Sequence, residues 1–220
     1  MRKFYFKDFE VSHITKKTLK NSYIQIDKNS QIIIKTPKVS DVYVQELLKS
    51  KENWIREKIA ISSSLVKPIL QDEVLLFGEI VSIDKIEVLQ KSLNSVLVDE
   101  KQKILKTYDM YYKTYASEYL LNRLEYFANM MNLSYKELRI KKLKSRWGSC
   151  DSLRRITLNQ ELLKIKKELI DYVVVHELAH LVHMNHSKNF HALVRSYLPT
   201  ADLLRKELKT IPLHKLLFDE

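Results

Sequence analysis

The sequence has one cysteine, two glycines and four prolines in 220 residues. A single cysteine excludes an internal disulfide, which fits a reducing compartment. No run of about 18 apolar residues occurs, so no segment is built to cross a membrane as a helix. The N-terminus meets charge again at Lys7 and Asp8, before a secretory apolar stretch could form. Zinc-finger, basic-zipper and aromatic RNA-binding signatures are missing as well. These absences predict a cytoplasmic chain with no membrane partner.

What is present is ordinary for a folded protein: 45% hydrophobic and 30% charged residues. The length allows one sizeable core or two small domains. The formal net charge is +11, and between Lys136 and Ile170 eleven Lys or Arg stand against four acidic residues. Such a basic region is compatible with nucleic acid as a partner; a solvated basic face is the plainer account.

The densest chemistry lies between Asp171 and His191. His176, Glu177 and His180 form His-Glu-x-x-His, and on a helix positions i and i+4 share a face, so both imidazoles can reach one ion. The apolar lead-in Tyr172 to Val175 would carry that helix through the core. A catalytic zinc takes three protein ligands and keeps an open position, so a third ligand is needed. His183 is rejected, because seven residues of helix span about 10.5 Å. His186 follows His180 by six residues, the interval of the extended zincin motif, provided the helix stops and the chain turns back at a left-handed Asn185. Ser187 would then cap a further helix holding His191, which lines the cleft. In this reading His176, His180 and His186 hold Zn2+. Glu177 moves the proton during hydrolysis of a peptide bond.

The rest of the chain divides near residue 100. Residues 1–36 read as strands, with a hairpin around Asp27-Lys28-Asn29-Ser30, and Pro37 ends them. Ser40 caps a helix from Asp41 to about Ser62, with Val44, Leu47, Leu48, Trp54, Ile55 and Ile59 on one face. From Asp72 to Val98 four short strands are predicted at Val74–Phe77, Ile80–Ile83, Ile86–Val88 and Ser95–Val98, with Gly78 in a hairpin turn. This makes 1–100 a β-rich domain with one helix. In 101–220, Lys101 to Met131 forms one long helix with a stripe of Tyr108, Tyr112, Tyr115 and Tyr119, read as a packing seam. Leu138 to Asn159 reads as a hairpin with a bulge at Lys141-Lys142, and its edge could pair with an extended peptide. Beyond His191 the helix continues to Pro199. Another then starts at Thr200 or Asp202 with Leu203, Leu204 and Leu208 inward, and the tail after Pro212 is loosely held.

Three residues near the cleft invite more than one reading. Cys150 is a nucleophile, a zinc ligand or a half-buried small residue. Arg146 stabilises an oxyanion or holds a substrate carboxylate, or else buries its stem against Trp147. Trp147 and His191 complete the candidate substrate contacts.

Arg146-Trp147-Gly148-Ser149-Cys150, Leu158-Asn159, Asp171 to His180, and Asn185-His186-Ser187 with Phe190, in this order, resemble the YgjP-like zinc metallopeptidases, relatives of SprT-like and WLM proteases. The resemblance covers residues 138–195 strongly and the N-terminal half more weakly, through Trp54-Ile55 and Leu76 to Glu79. It implies an α+β fold in which the β-rich N-terminal domain precedes a zincin-like, minigluzincin-like catalytic domain of helices and a sheet. By it, His176, His180 and His186 are zinc ligands, Glu177 is catalytic and the partner is a peptide or protein substrate. His191 departs from the pattern, standing where such proteins usually carry Trp. Two alternatives remain: a protease recruited to nucleic acid, as for DNA–protein crosslinks, and a non-catalytic nucleic-acid binder with a structural, four-ligand zinc.

Overall fold

The computed structural model describes residues 1–27, 31–64, 68–96 and 100–216. It is an α+β chain in two compact units, Met1–Val66 and Lys67–Glu220.

The first unit opens with four strands: β1 (Arg2–Phe6), β2 (Phe9–Thr15), β3 (Tyr23–Ile26) and β4 (Ile32–Thr36). They form one sheet in the order β1-β2-β4-β3, with β2 and β4 parallel and the outer pairs antiparallel. Lys28 to Ser30 of the expected turn lie outside the described residues, but β3 and β4 on either side pair as a hairpin does. The two-residue side-chain period puts Val11, Ile32 and Ile34 into a core closed by Phe6 and by Val44, Leu48 and Ile55 of α1 (Asp41–Ser64). Ser40 starts that helix as expected, its Oγ accepting the Tyr43 N–H at 3.2 Å. Trp54 is 39% exposed and therefore lies off the packed face assigned to it from spacing.

The second unit begins with the hairpin β5 (Glu73–Leu76) and β6 (Glu79–Ser82). Its two turn residues, Phe77 and Gly78, have φ of 52° and 85°, the mirror-image turn that matches strand twist. The two further strands expected here are not found in the described residues. Glu87 to Asn94 form a helix, α2, which buries Leu89 and Leu93, and residues 97 and 98 lie outside the described part. The expected boundary near residue 100 therefore falls inside the second unit. The reason is the core itself, in which Leu89 and Leu93 share one cluster with Ile104 and Tyr108 of the long helix α3 (Lys101–Met130).

Along α3 the residues Ile104, Tyr108, Tyr112, Ala116, Leu120 and Leu124 recur every four positions and are all buried. Tyr108 and Tyr112 are packing residues, as read from spacing, and their hydroxyls donate to the Glu73 and Leu75 carbonyls at 3.0 and 2.8 Å. A three-stranded sheet follows: β7 (Glu137–Lys141), β8 (Gly148–Cys150) and β9 (Arg155–Asn159), in the order β7-β9-β8. β9 is parallel to β7 and antiparallel to β8. No bulge extends β7. The chain leaves the sheet after Lys141, because the Leu143 N–H and C=O bond to the Asn159 side chain instead of to a strand.

After a 3₁₀ segment, Gln160–Lys164, comes α4 (Lys167–Ala179). Leu169, Ile170, Tyr172 to Val175 and Leu178 are buried around most of its circumference, so this helix runs through the core. Arg123 of α3 grips Asp171 of α4 through two bonds of 2.7 and 2.8 Å. Then come α5 (Lys188–Tyr197), α6 (Ala201–Thr210) and α7 (Leu213–Leu216). Leu203 is 66% exposed, contrary to the inward position read from sequence, whereas Leu204 and Leu208 pack on the core. The tail is held as far as Leu216, whose carbonyl accepts the buried Lys164 ammonium at 2.5 Å. No helix among the described residues is long and apolar enough to cross a membrane.

Candidate active site

His176 and Glu177 lie in the last turn of α4, and His180 is the residue that terminates it. The chain then reverses through Leu181 to Asn185, with the Leu181, Val182 and His183 N–H groups still bonded to Leu178 and Ala179. Asn185 is not left-handed, contrary to expectation. These extra turns end the helix without one, and His186 nevertheless folds back over it. Ser187 caps α5 by accepting the Phe190 N–H at 3.3 Å, as its position predicted.

The result is a cluster in which ligand atoms of His176, His180 and His186 lie within 4.8 Å of one another. His176 Nε2 and His186 Nε2 face each other at 3.0 Å. Three nitrogens sharing a tetrahedral ion at about 2.1 Å each would sit about 3.4 Å apart, so the cluster fits one cation. Phe190, fully buried, forms its floor: its ring lies 4.9, 4.7 and 4.8 Å from those of His176, His180 and His186. His180 Nδ1 donates to the His183 carbonyl at 3.1 Å, which turns Nε2 towards the cluster. His183 thus serves through its backbone, and its side chain is outside the cluster. Sequence reasoning missed that role, since a carbonyl leaves no residue-type signal.

Burial pushes the His176 imidazole down to about 3, and the neighbouring His180 and His186 add to it. A neutral ring with a free lone pair is the ligating form. Burial pushes the Glu177 carboxyl the other way, up to about 8, with Arg146 pulling it down. Glu177 is 5% exposed and its Oε2 has no hydrogen-bond partner, an arrangement that calls for a cation or a proton donor nearby. Gly148 on β8 makes room for this side chain: a Cβ there would lie 2.7 Å from Glu177 Oε1.

The other candidates fall around this cluster. His191 stacks on His186 at 6.2 Å between ring centroids. Trp147 packs partly on the core and its carbonyl accepts the Asn159 N–H at 2.9 Å. Arg146 is exposed. Cys150 is half-buried, is not among the clustered ligands, and burial followed by the Glu177 charge pushes its thiol up to about 11. The small-residue reading is the one the structure favours. Asn159, fully buried, was not singled out for function; its amide also donates to the Arg146 carbonyl at 2.9 Å.

Three imidazoles gathered beside a buried carboxylate, on an α+β scaffold, belong to the class of metallopeptidases. Residues 20–211 match the family described as YgjP-like, metallopeptidase domain. The chain belongs to the YgjP-like metallopeptidases, and a metal cofactor comes with that membership. It is also similar to two solved structures described as metallopeptidase zymogens. Pyrococcus abyssi abylysin shares 26% identity over 41% of this chain and 92% of its own, with a TM-score of 0.38. Methanocaldococcus jannaschii jannalysin shares 21% over 41% and 93%, with a TM-score of 0.37. Comparison with curated proteins gives no match.

Proposed function

We propose that the chain is a zinc-dependent peptidase in which His176, His180 and His186 hold the ion and Glu177 handles the proton. The observation that carries this reading is the convergence of three imidazoles next to a buried, partnerless carboxylate. An all-imidazole donor set suits zinc better than calcium or magnesium, which take oxygen ligands. Bound there, the ion would supply Lewis acidity, lowering the pKa of water and polarising a carbonyl.

The chain's own residues do the rest. Glu177 takes a proton from the attacking water and later delivers it to the leaving amine; burial raises its carboxyl, which favours the protonated form that makes the second transfer. β8 is the outer strand of its sheet, pairs only with β9 in that sheet and packs against α4. An extended peptide adding to its free edge would run beside Glu177. Among the described residues the cluster has three members and no fourth protein ligand, which favours an open catalytic site over a closed structural one.

The test is elemental analysis together with turnover. Wild type is expected to hold about one zinc per chain, with a large loss of affinity in His186→Ala and none in His183→Ala. Glu177→Gln should keep zinc and fold while losing hydrolysis. Full activity in Glu177→Gln, or zinc retained in His186→Ala but lost in His183→Ala, would refute the assignment.

A further inference from the structure

The end of β7 and the segment from there to β8 carry Lys141, Lys142, Lys144 and Arg146 and no acidic residue. Only Lys142 has an acidic partner, Asp109 at 2.8 Å. The side chains of Lys141, Lys144 and Arg146 are exposed and form no hydrogen bond or ion pair among the described residues. The backbone beneath them is fixed, since Asn159 accepts the Leu143 N–H at 3.2 Å and donates to the Leu143 and Arg146 carbonyls at 2.8 and 2.9 Å. A buried amide anchoring a polar loop at three points presents the Arg146 side chain from a rigid base. Two residues further on, Gly148 abuts the Glu177 carboxylate.

We infer that the substrate is an acidic peptide, and that Arg146, with Lys144 of the same loop and Lys141 at the end of β7, binds a side-chain carboxylate next to the bond to be cleaved. This rests on the peptidase reading above. An arginine fork matches a carboxylate in a two-pronged bond, and free cations at the mouth of a cleft raise the encounter rate of an anionic ligand. A nucleic-acid backbone fits the surface less well. Elsewhere in the basic region Arg139 is paired with Glu137, Arg155 with Asp151, Lys164 with Glu161 and Lys166 with Glu207. Of the other basic residues there, Arg154 bonds the Ser134 carbonyl and Lys167 lies over the Phe77 ring, so Lys136, Lys141, Lys144 and Arg146 are left, fewer than the roughly six to ten phosphate contacts that support firm DNA binding.

The experiment uses zinc-loaded Glu177→Gln protein and three fluorescent probes: a peptide with Asp-Glu at its centre, the same peptide with Asn-Gln there, and a single-stranded DNA oligonucleotide. By anisotropy the acidic peptide should bind about ten to a hundred times tighter than its neutral twin. Arg146→Ala should erase the difference, and Arg146→Lys should restore part of it, because the charge returns without the fork. On the Glu177 protein, kcat/KM for the two peptides should show the same preference. Equal affinity for both peptides, or a preference that survives Arg146→Ala, overturns the inference. So does DNA that binds through Arg146 more tightly than the acidic peptide. Acidic preference in binding with neither peptide cleaved overturns the peptidase reading alone, whereas cleavage without preference overturns this inference alone.

Discussion

At the scale of single residues, the clustering of three imidazoles was legible because their spacing is geometry: four residues on a helix face, six across a reversal. Glycine, cysteine and asparagine were less so, since their roles depend on what lies opposite in space. Gly148 is one case. A methyl there would meet Glu177 at 2.7 Å from Oε1, 2.9 Å from Cγ and 3.0 Å from Cδ, the movable end of a side chain. Gly148→Ala is therefore expected to leave folding and zinc content near wild type while turning the carboxylate aside, lowering kcat about a hundredfold. Unchanged turnover would show that the close approach is idle. Cys150 is the other. A thiol pushed up to about 11 by burial and by Glu177 carries little thiolate near pH 8. Alkylation by iodoacetamide at pH 8 should run about a hundredfold slower than for a free thiol of pKa about 9, and accelerate tenfold per pH unit up to about 11. Rapid labelling at pH 8 would reopen the nucleophile reading.

Among elements, helices with long periodic faces were read correctly and short apolar runs were not. Ile86-Glu87-Val88 looks like a strand in isolation, but Leu89 and Leu93, four apart, turn the segment into a helix with a buried stripe. The stretch after Lys141 alternates like a strand, yet its backbone is satisfied by one asparagine side chain rather than by a neighbour's ladder. Nothing in the local sequence announces a partner sixteen residues away. The tyrosine stripe of α3 was read as packing, and its hydroxyls add a second role. Tyr108 accepts the Gln71 N–H at 2.8 Å and donates to the Glu73 carbonyl at 3.0 Å, which ties the entry of β5 to the helix. Gln71 holds a φ of 74°, an unusual conformation that needs such support. Tyr108→Phe keeps the ring but strands that N–H and should cost about 1–3 kcal/mol in chemical denaturation with an unchanged m-value. A loss within error would mean that water replaces the hydroxyl.

For the whole molecule, the division read near residue 100 follows the change from short strands to a long helix, whereas the two compact units meet between Val66 and Lys67. The first core is built from Phe6, Val11, Ile32, Ile34, Val44, Leu48 and Ile55. The second draws on β5, α2, α3, β9, α4 and the later helices. The two hydrophobic clusters are separate, so each unit has the ingredients of its own cooperative transition. All three clustered histidines belong to the second unit. A ligand that binds only the native form of one unit stabilises that unit by RT ln(1 + [L]/Kd), about 2.7 kcal/mol at a hundredfold excess over Kd. Calorimetry of the full chain should therefore show two transitions, and zinc added to metal-free protein should raise the midpoint of one and leave the other in place. In His186→Ala neither should move. A single transition that shifts as a whole with zinc would show instead that the two cores melt as one.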